Sequence, residues 1–180
     1  KGINIMTASD FTHPLWFSEI EQNLIEVQDG IYTLKQAPLL QKTNSLLFKK
    51  DFYGPYFMLS TEVSAIYTEN GVGHRIHNLI FAPNLKTAAR INVEFKKRGF
   101  NLSADGRPIF NLSARNLMEL LLSIDPLIAL IPCHIWTPWF SLYGSRSGYD
   151  AIGDCFGNYS KYIFAVETGL SSDPSMNWRI

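Results

Sequence analysis

Cysteine is scarce in this chain. Two thiols, Cys133 and Cys155, cannot build the disulfide framework of a small secreted protein, and a reducing, cytoplasmic compartment fits best. Net charge is absent too, since sixteen Lys and Arg balance sixteen Asp and Glu over 180 residues. That balance argues against a nucleic-acid binder working by bulk positive charge, while leaving room for a local basic groove. No long apolar run exists. The most apolar stretch, Leu117 to Cys133, is interrupted by Glu119, Asp125, Pro126 and Pro132 and is unfit to span a bilayer. No signal-peptide pattern, internal repeat or low-complexity tract is visible. The patterns GxxxxGK[ST], GxGxxG and GxSxG are missing, which excludes a P-loop, a dinucleotide fingerprint and a nucleophile elbow from these residues.

What remains is ordinary globular composition, 46% hydrophobic and 18% charged, with enough chain for one domain and a real core. Ile3 to Thr7 reads as a buried strand. Ser18 and Glu21 have the spacing of a capping box, which predicts a helix from Ser18 through Val27 that Asp29-Gly30 stops. Residues 31–55, with the Lys49-Lys50 pair, are less clear. Tyr56–Ser64 and His74–Phe81 read as strands, with Asn70-Gly71 as a turn between them. Helices are predicted over Leu85–Arg98, stopped by Gly99, and over Ser113–Ser123, capped by Ser113. Leu127–Ile131 and Tyr162–Val166 read as further strands, and Asp150–Phe156 as a short helix. This order predicts an α/β fold, either a barrel or a doubly wound sheet.

Ionisable residues gather just after the apolar strands. Asp10 and His13 follow the first, Glu62 follows Phe57–Ser60, His134 follows Ile131-Pro132, and Glu167 follows Val166, while His77 lies within its strand. In an α/β barrel those strand ends open on one face, where sites are assembled. Imidazole and carboxylate suit zinc, manganese or iron. On spacing alone, a metal site and a set of unrelated capping and core residues are equally open readings. His74 and His77 stand three positions apart and so face opposite sides of a strand. His77, inside the apolar run, is the better ligand, and His74 is expected at the surface or behind the ligands. Strand alternation would turn Cys133 away from His134, making it a small buried filler, and Cys155 is expected to pack within its helix.

The loop from Trp136 to Tyr149 places Trp136, Trp139, Phe140, Tyr143 and Arg146 among small polar residues beside His134. Such side chains can stack on bases or grip a phosphate. They can equally bury against the domain.

The run "CHIWTPWFSLYGSRSGYDAIGDCFGNYSKYIFAVETGLSSDPSMNWR" resembles the PHP-type (polymerase and histidinol phosphatase) phosphoesterases of the endonuclease Q family. "SDFTHPLW", "LSTEVSAIYTENG", "HRIHNLIFAPN" and "SADGRPIF" are similar to that family's other segments, in the same order. The resemblance implies a distorted (β/α)7 PHP barrel with up to three divalent metal ions, zinc or manganese. It implies a DNA-repair endonuclease that nicks beside deaminated bases or abasic sites. By position it implies that Glu62, His77 and His134 bind metal, that Asp10 and His13 complete the shell, and that Glu167 supports from behind. On that reading the loop residues Trp136, Trp139, Phe140, Tyr143 and Arg146 are expected to grip a DNA strand or an everted base. The His-x-His and Asp-x-His pairs of PHP proteins are not found here, so residues 1–180 are expected to be an internal segment of one PHP domain, truncated at both ends and inactive alone. A PHP-type phosphatase acting on a small phosphoester and a non-catalytic binding module are the alternatives.

Overall fold

The computed structural model describes residues 3–36, 55–104, 107–170 and 172–180. The Lys49-Lys50 pair, Asp105-Gly106 of "SADGRPIF" and Ser171 of "ETGLSSDP" lie outside the described residues.

The organising element is a long hairpin. β4 (Tyr56–Glu69) and β5 (Val72–Ala82) pair antiparallel from Leu59↔Ala82 to Glu69↔Val72. Asn70 and Gly71 both take positive φ, 51° and 79°, as a type I′ turn requires. That turn matches the twist of the strands and holds the register. Pairing then divides the hairpin into two faces. One presents Leu59, Val63, Ala65, Ile76 and Ile80, all fully buried. The other presents Ser60, Glu62, Ser64, Arg75 and His77.

Two helices cover the apolar side of the fold. α2 (Leu85–Lys97) starts at Asn84, whose side chain accepts from the Thr87 N–H at 2.8 Å. It buries Ala88, Ile91 and Phe95, then ends at Gly99 with φ 77°. α3 (Ala114–Ile124) is capped by Ser113, as its sequence predicts, and buries Leu117, Met118 and Leu121. Fully burying each such aliphatic side chain contributes about 1.5–3 kcal/mol before the entropy of ordering it.

The amino-terminal region departs from expectation. β1 (Ile5–Ala8) pairs parallel with β4, but only Ala8 is buried. The predicted buried strand is therefore an exposed one, because none of the described elements covers Ile5 and Met6. α1 (Pro14–Asn23) begins at Pro14 rather than Ser18, since proline's fixed φ suits a first helical position. Ser18 sits inside it and accepts from Gln22 Nε2 at 2.9 Å. The helix stops at Asn23. Leu24–Gln28 is instead β2, forming a hairpin with β3 (Ile31–Leu34), so Asp29-Gly30 turns a hairpin and does not end a helix. Ile25 and Val27 are β-branched and prefer the strand.

β6 (Ile109–Phe110) runs parallel to β4, and β7 (Ala129–Pro132) runs antiparallel to β5. The class is mixed α/β, as expected. Among the described residues the seven strands form one sheet, β2-β3-β4-β5-β7 with β1 and β6 on β4, and it does not close. α4 (Ile152–Phe156) buries Cys155, and a 3₁₀ turn follows over Gly157–Tyr162. The predicted strand Tyr162–Val166 is not a ladder strand, and Phe164 is exposed. Its neighbour Glu167 links the segment to the end of β7, donating its N–H to Pro132 O and accepting from Ile135 N–H, both at 2.9 Å. α5 (Pro174–Asn177) ends the described chain. No helix among the described residues is long and apolar enough to cross a membrane.

Candidate metal centre

Glu62 lies in the middle of β4, not at a strand end, because β4 continues to Glu69. The β4–β5 register sets His77 opposite Ser64, so Glu62 and His77 are diagonal neighbours on one face. His77 Nδ1 stands 3.3 Å from Glu62 Oε1. β7 brings the third residue. Cys133 N–H donates to His77 O at 3.0 Å, continuing the ladder by one residue. The chain then leaves the strand, because His134 has φ 33°. Its Nε2 comes to 3.0 Å from His77 Nδ1.

That left-handed residue corrects the reading of Cys133. Alternation would have turned the thiol away from His134, but it holds only while both residues are extended. In the structure Glu62, Cys133 and His134 each bring a donor atom within 4.8 Å of the other two. Left-handed backbone also occurs at Asp10 and Phe140, both with φ 60°. Among the described residues, three of the four non-glycine residues with positive φ are thus candidate-site residues, as is common where function holds a strained backbone.

The electrostatics are coherent. Burial pushes the Glu62 carboxyl up, but nearby His77 and the Arg107 guanidinium outweigh it and hold it below the usual carboxylate range. Burial, and then the neighbouring His77, lowers His134, while Glu62 and Glu167 oppose them. His134 is accordingly a neutral imidazole near pH 7, the form that binds metal. Burial, with Glu62 and Glu167 adding to it, pushes the Cys133 thiol up to about 12. Such a thiol keeps its proton unless a cation displaces it.

The donor set fits a divalent ion. Glu62 Oε1 is buried and has no hydrogen-bond partner, an orphaned acceptor that a cation would satisfy. Two ligands of a tetrahedral zinc at ordinary bond lengths stand about 3.3 Å apart. The 3.0 Å and 3.3 Å separations of His77 from His134 and Glu62 are of that size. Glu167 Oε2 accepts the His134 backbone N–H and lies 3.5 Å from its Nδ1. A carboxylate on the far nitrogen of an imidazole is the usual support of a metal-binding histidine.

Asp10 and His13 sit in the β1–α1 loop. Phe11 N–H donates to Ser60 O, Thr12 and Thr61 hydroxyls meet at 2.8 Å, and Asn92 Nδ2 donates to Phe11 O. These bonds pin the loop to β4 just before Glu62, yet neither Asp10 nor His13 joins the three-donor group. His74 is not at the surface. It is buried, stacked at 4.0 Å on Tyr149, on the face opposite His77.

The aromatic loop splits in two. Trp136 and Tyr143 pack against the core and each other, and Trp136 Nε1 donates to Asn177. Phe140 packs on His77 with ring centres 4.6 Å apart. Trp139 and Arg146 are exposed, and the Arg75 guanidinium lies 5.2 Å above the Trp139 ring. The loop also completes the edge of β5, with His77 N–H donating to Phe140 O and Arg75 N–H to Ser147 O. Its winding requires glycine at 148, where a Cβ would overlap backbone atoms of Gly144, Leu142 and Ser141.

Fold and site together define a class, an α/β scaffold that gathers carboxylate, imidazole and thiol donors into a group able to hold a divalent cation. Two solved structures make the relation particular. The lesion-specific endonuclease PfuEndoQ from Pyrococcus furiosus matches with a TM-score of 0.72 and 26% identity over 98% of this chain. An endonuclease Q complex with a 27-mer duplex carrying an abasic lesion at the active site matches with a TM-score of 0.72 and 27% identity, also over 98%. The resemblance to endonuclease Q read from the sequence motifs is borne out across nearly the whole chain. The chain spans 36% of each of those proteins. No protein-family profile and no curated protein matches it by sequence.

Proposed function

We propose that this chain forms part of a PHP-type metal-dependent endonuclease that hydrolyses a phosphodiester bond in DNA beside an abasic site or a deaminated base. The observation that carries the reading is the convergence of Glu62, Cys133 and His134, with His77 alongside, within a fold matched by endonuclease Q. Glu62, His77 and His134 hold one ion and Cys133 supplies a softer donor that favours zinc over manganese, while Asp10 and His13, outside that group, complete the shell of a multi-ion cluster. Up to three ions fit the family pattern. A bound divalent ion supplies an acidified water and a clamp for the attacking and leaving oxygens.

The chain's own residues do the rest. Glu167 fixes the His134 ring and leaves Nε2 facing His77. Phe140 shields the outer face of His77 from water. Trp139, Arg75 and Arg146 form the exposed rim that meets the DNA strand, by stacking and by charge. Trp136 and Tyr143 stiffen the base of that rim.

The test is His134→Ala in the native protein that carries this chain, assayed for nicking of duplexes containing an abasic site or uracil, with metal content measured alongside. Nicking is expected to disappear. Retained nicking at normal metal content refutes the proposal, and hydrolysis of a free phosphomonoester with none of DNA would select a phosphatase instead.

A further inference from the structure

One cation on the site face has no task in the metal reading. Arg107 directly precedes Pro108, whose carbonyl accepts the Ser64 N–H at 2.9 Å. Ile109 and Phe110 then pair with Ser64 and Ala65. This two-residue strand buries Phe110 completely and leaves Ile109 exposed. It also achieves placement, setting Arg107 beside Glu62, two positions from Ser64 along β4. Arg107 Nη2 donates to Glu62 Oε2 at 3.1 Å, while Oε1 is the orphaned oxygen turned toward the other donors. The Arg107 side chain is 47% exposed, so donors of its fork face solvent over the site. A guanidinium presents five N–H groups in a rigid plane that suits phosphate oxygens.

We propose that Arg107 is the residue that binds the substrate phosphate, resting on Glu62 Oε2 until a phosphodiester arrives. The inference rests on the metal reading of Glu62, His77 and His134. Its physical basis is a conflict of charge. A divalent ion held by Glu62 would be repelled by the guanidinium resting on Oε2 of the same carboxylate. A phosphodiester placed between them, with its charge shared over two nonbridging oxygens, converts that repulsion into a bridge. Arg107 therefore opposes metal binding in the free protein and cooperates with it once substrate is present. A residue that merely held Glu62 in place would do the reverse, because its loss would weaken metal binding.

The experiment compares wild type, Arg107→Ala and Arg107→Lys in the native protein. Manganese binding without DNA is measured by titration calorimetry, and steady-state nicking is measured on an abasic-site duplex. Arg107→Ala should bind manganese about three- to tenfold more tightly, the range expected for a half-exposed and partly screened repulsion. Its kcat/KM should fall by roughly 10²–10³, as for loss of one oxyanion donor. Added guanidinium should restore part of that loss, and Arg107→Lys should keep charge but not the fork. Weaker manganese binding by Arg107→Ala, unchanged kcat/KM, or no rescue by guanidinium overturns the proposal while leaving the metal reading intact. A wild type that binds no divalent metal overturns both.

Discussion

Glu167→Gln separates support of the metal site from support of the fold. Glu167 touches His134 twice, accepting its backbone N–H and standing 3.5 Å from Nδ1. Its side chain is 49% exposed and the imidazole is neutral near pH 7, so the contact with Nδ1 contributes under about 1 kcal/mol to stability. The backbone bond matters more, because it satisfies an N–H that the strained φ of 33° turns away from any ladder. Glutamine preserves an acceptor of the same shape and loses only the charge assistance, roughly 1 kcal/mol. Function should suffer more than stability. Removing the carboxylate partner of a metal-binding histidine costs about 10–100-fold in affinity, equivalent to about 1.4–2.7 kcal/mol. The assay is zinc or manganese affinity in the native protein, paired with thermal melting of the same samples. We expect a small change in melting temperature and a large loss of affinity. Affinity within twofold of wild type would refute the orienting role, whatever happened to the melting temperature.

Cys133→Ala should weaken zinc more than manganese, and zinc binding at pH 7 should release one proton fewer than in wild type, because the thiol at about 12 must lose its proton to ligate; equal release from both proteins removes Cys133 from the ligand set. Gly148→Ala should destabilise by about 1–3 kcal/mol through overlap with fixed backbone, whereas Gly153→Ala, which meets nothing within 4 Å, should be harmless in urea unfolding. Asp125 accepts from Thr87 Oγ1 at 2.7 Å and from Leu127 N–H at 3.0 Å, and these bonds hold its carboxyl below the usual range. A depressed carboxylate stabilises above its unfolded value of about 3.9 and loses that contribution as pH falls through the lower folded value. The melting temperature of wild type should thus drop more steeply than that of Asp125→Asn between pH 5 and pH 2, and parallel curves would show that the bonds contribute nothing.

Elements that announce themselves by local chemistry were readable in the sequence. Asn84 and Ser113 are good caps ahead of apolar stripes, and Asn70-Gly71 permits the left-handed pair that a tight hairpin needs. Glu62, His77, His134 and Glu167 could be collected because each follows or lies in an apolar run, and the structure brings those four together. Leu24–Gln28 was misread because Ile20, Leu24 and Val27 imitate a helical stripe, while the competing signal, pairing with Ile31–Leu34, lies across a turn. Ile163 to Val166 is apolar in composition but exposed at Phe164, so hydrophobicity alone pointed to a strand that does not form. Cys133 escaped because its role depends on the backbone angle of the next residue, which period-two reasoning takes for granted. Arg107 escaped for a similar reason, since a two-residue strand leaves almost no pattern to find.

The type I′ turn at Asn70-Gly71 governs more than the end of a hairpin. Glu62 lies eight residues before it, roughly 27 Å of extended chain, yet the two candidate ligands on these strands face each other only in the register that this turn sets. A slip of one residue would send Glu62 and His77 to opposite sides of the sheet, dismantling the site without touching any donor. A loss-of-function substitution in this chain can therefore arise at a solvent-exposed turn, far from any metal, and look like a catalytic defect in every assay except a structural one.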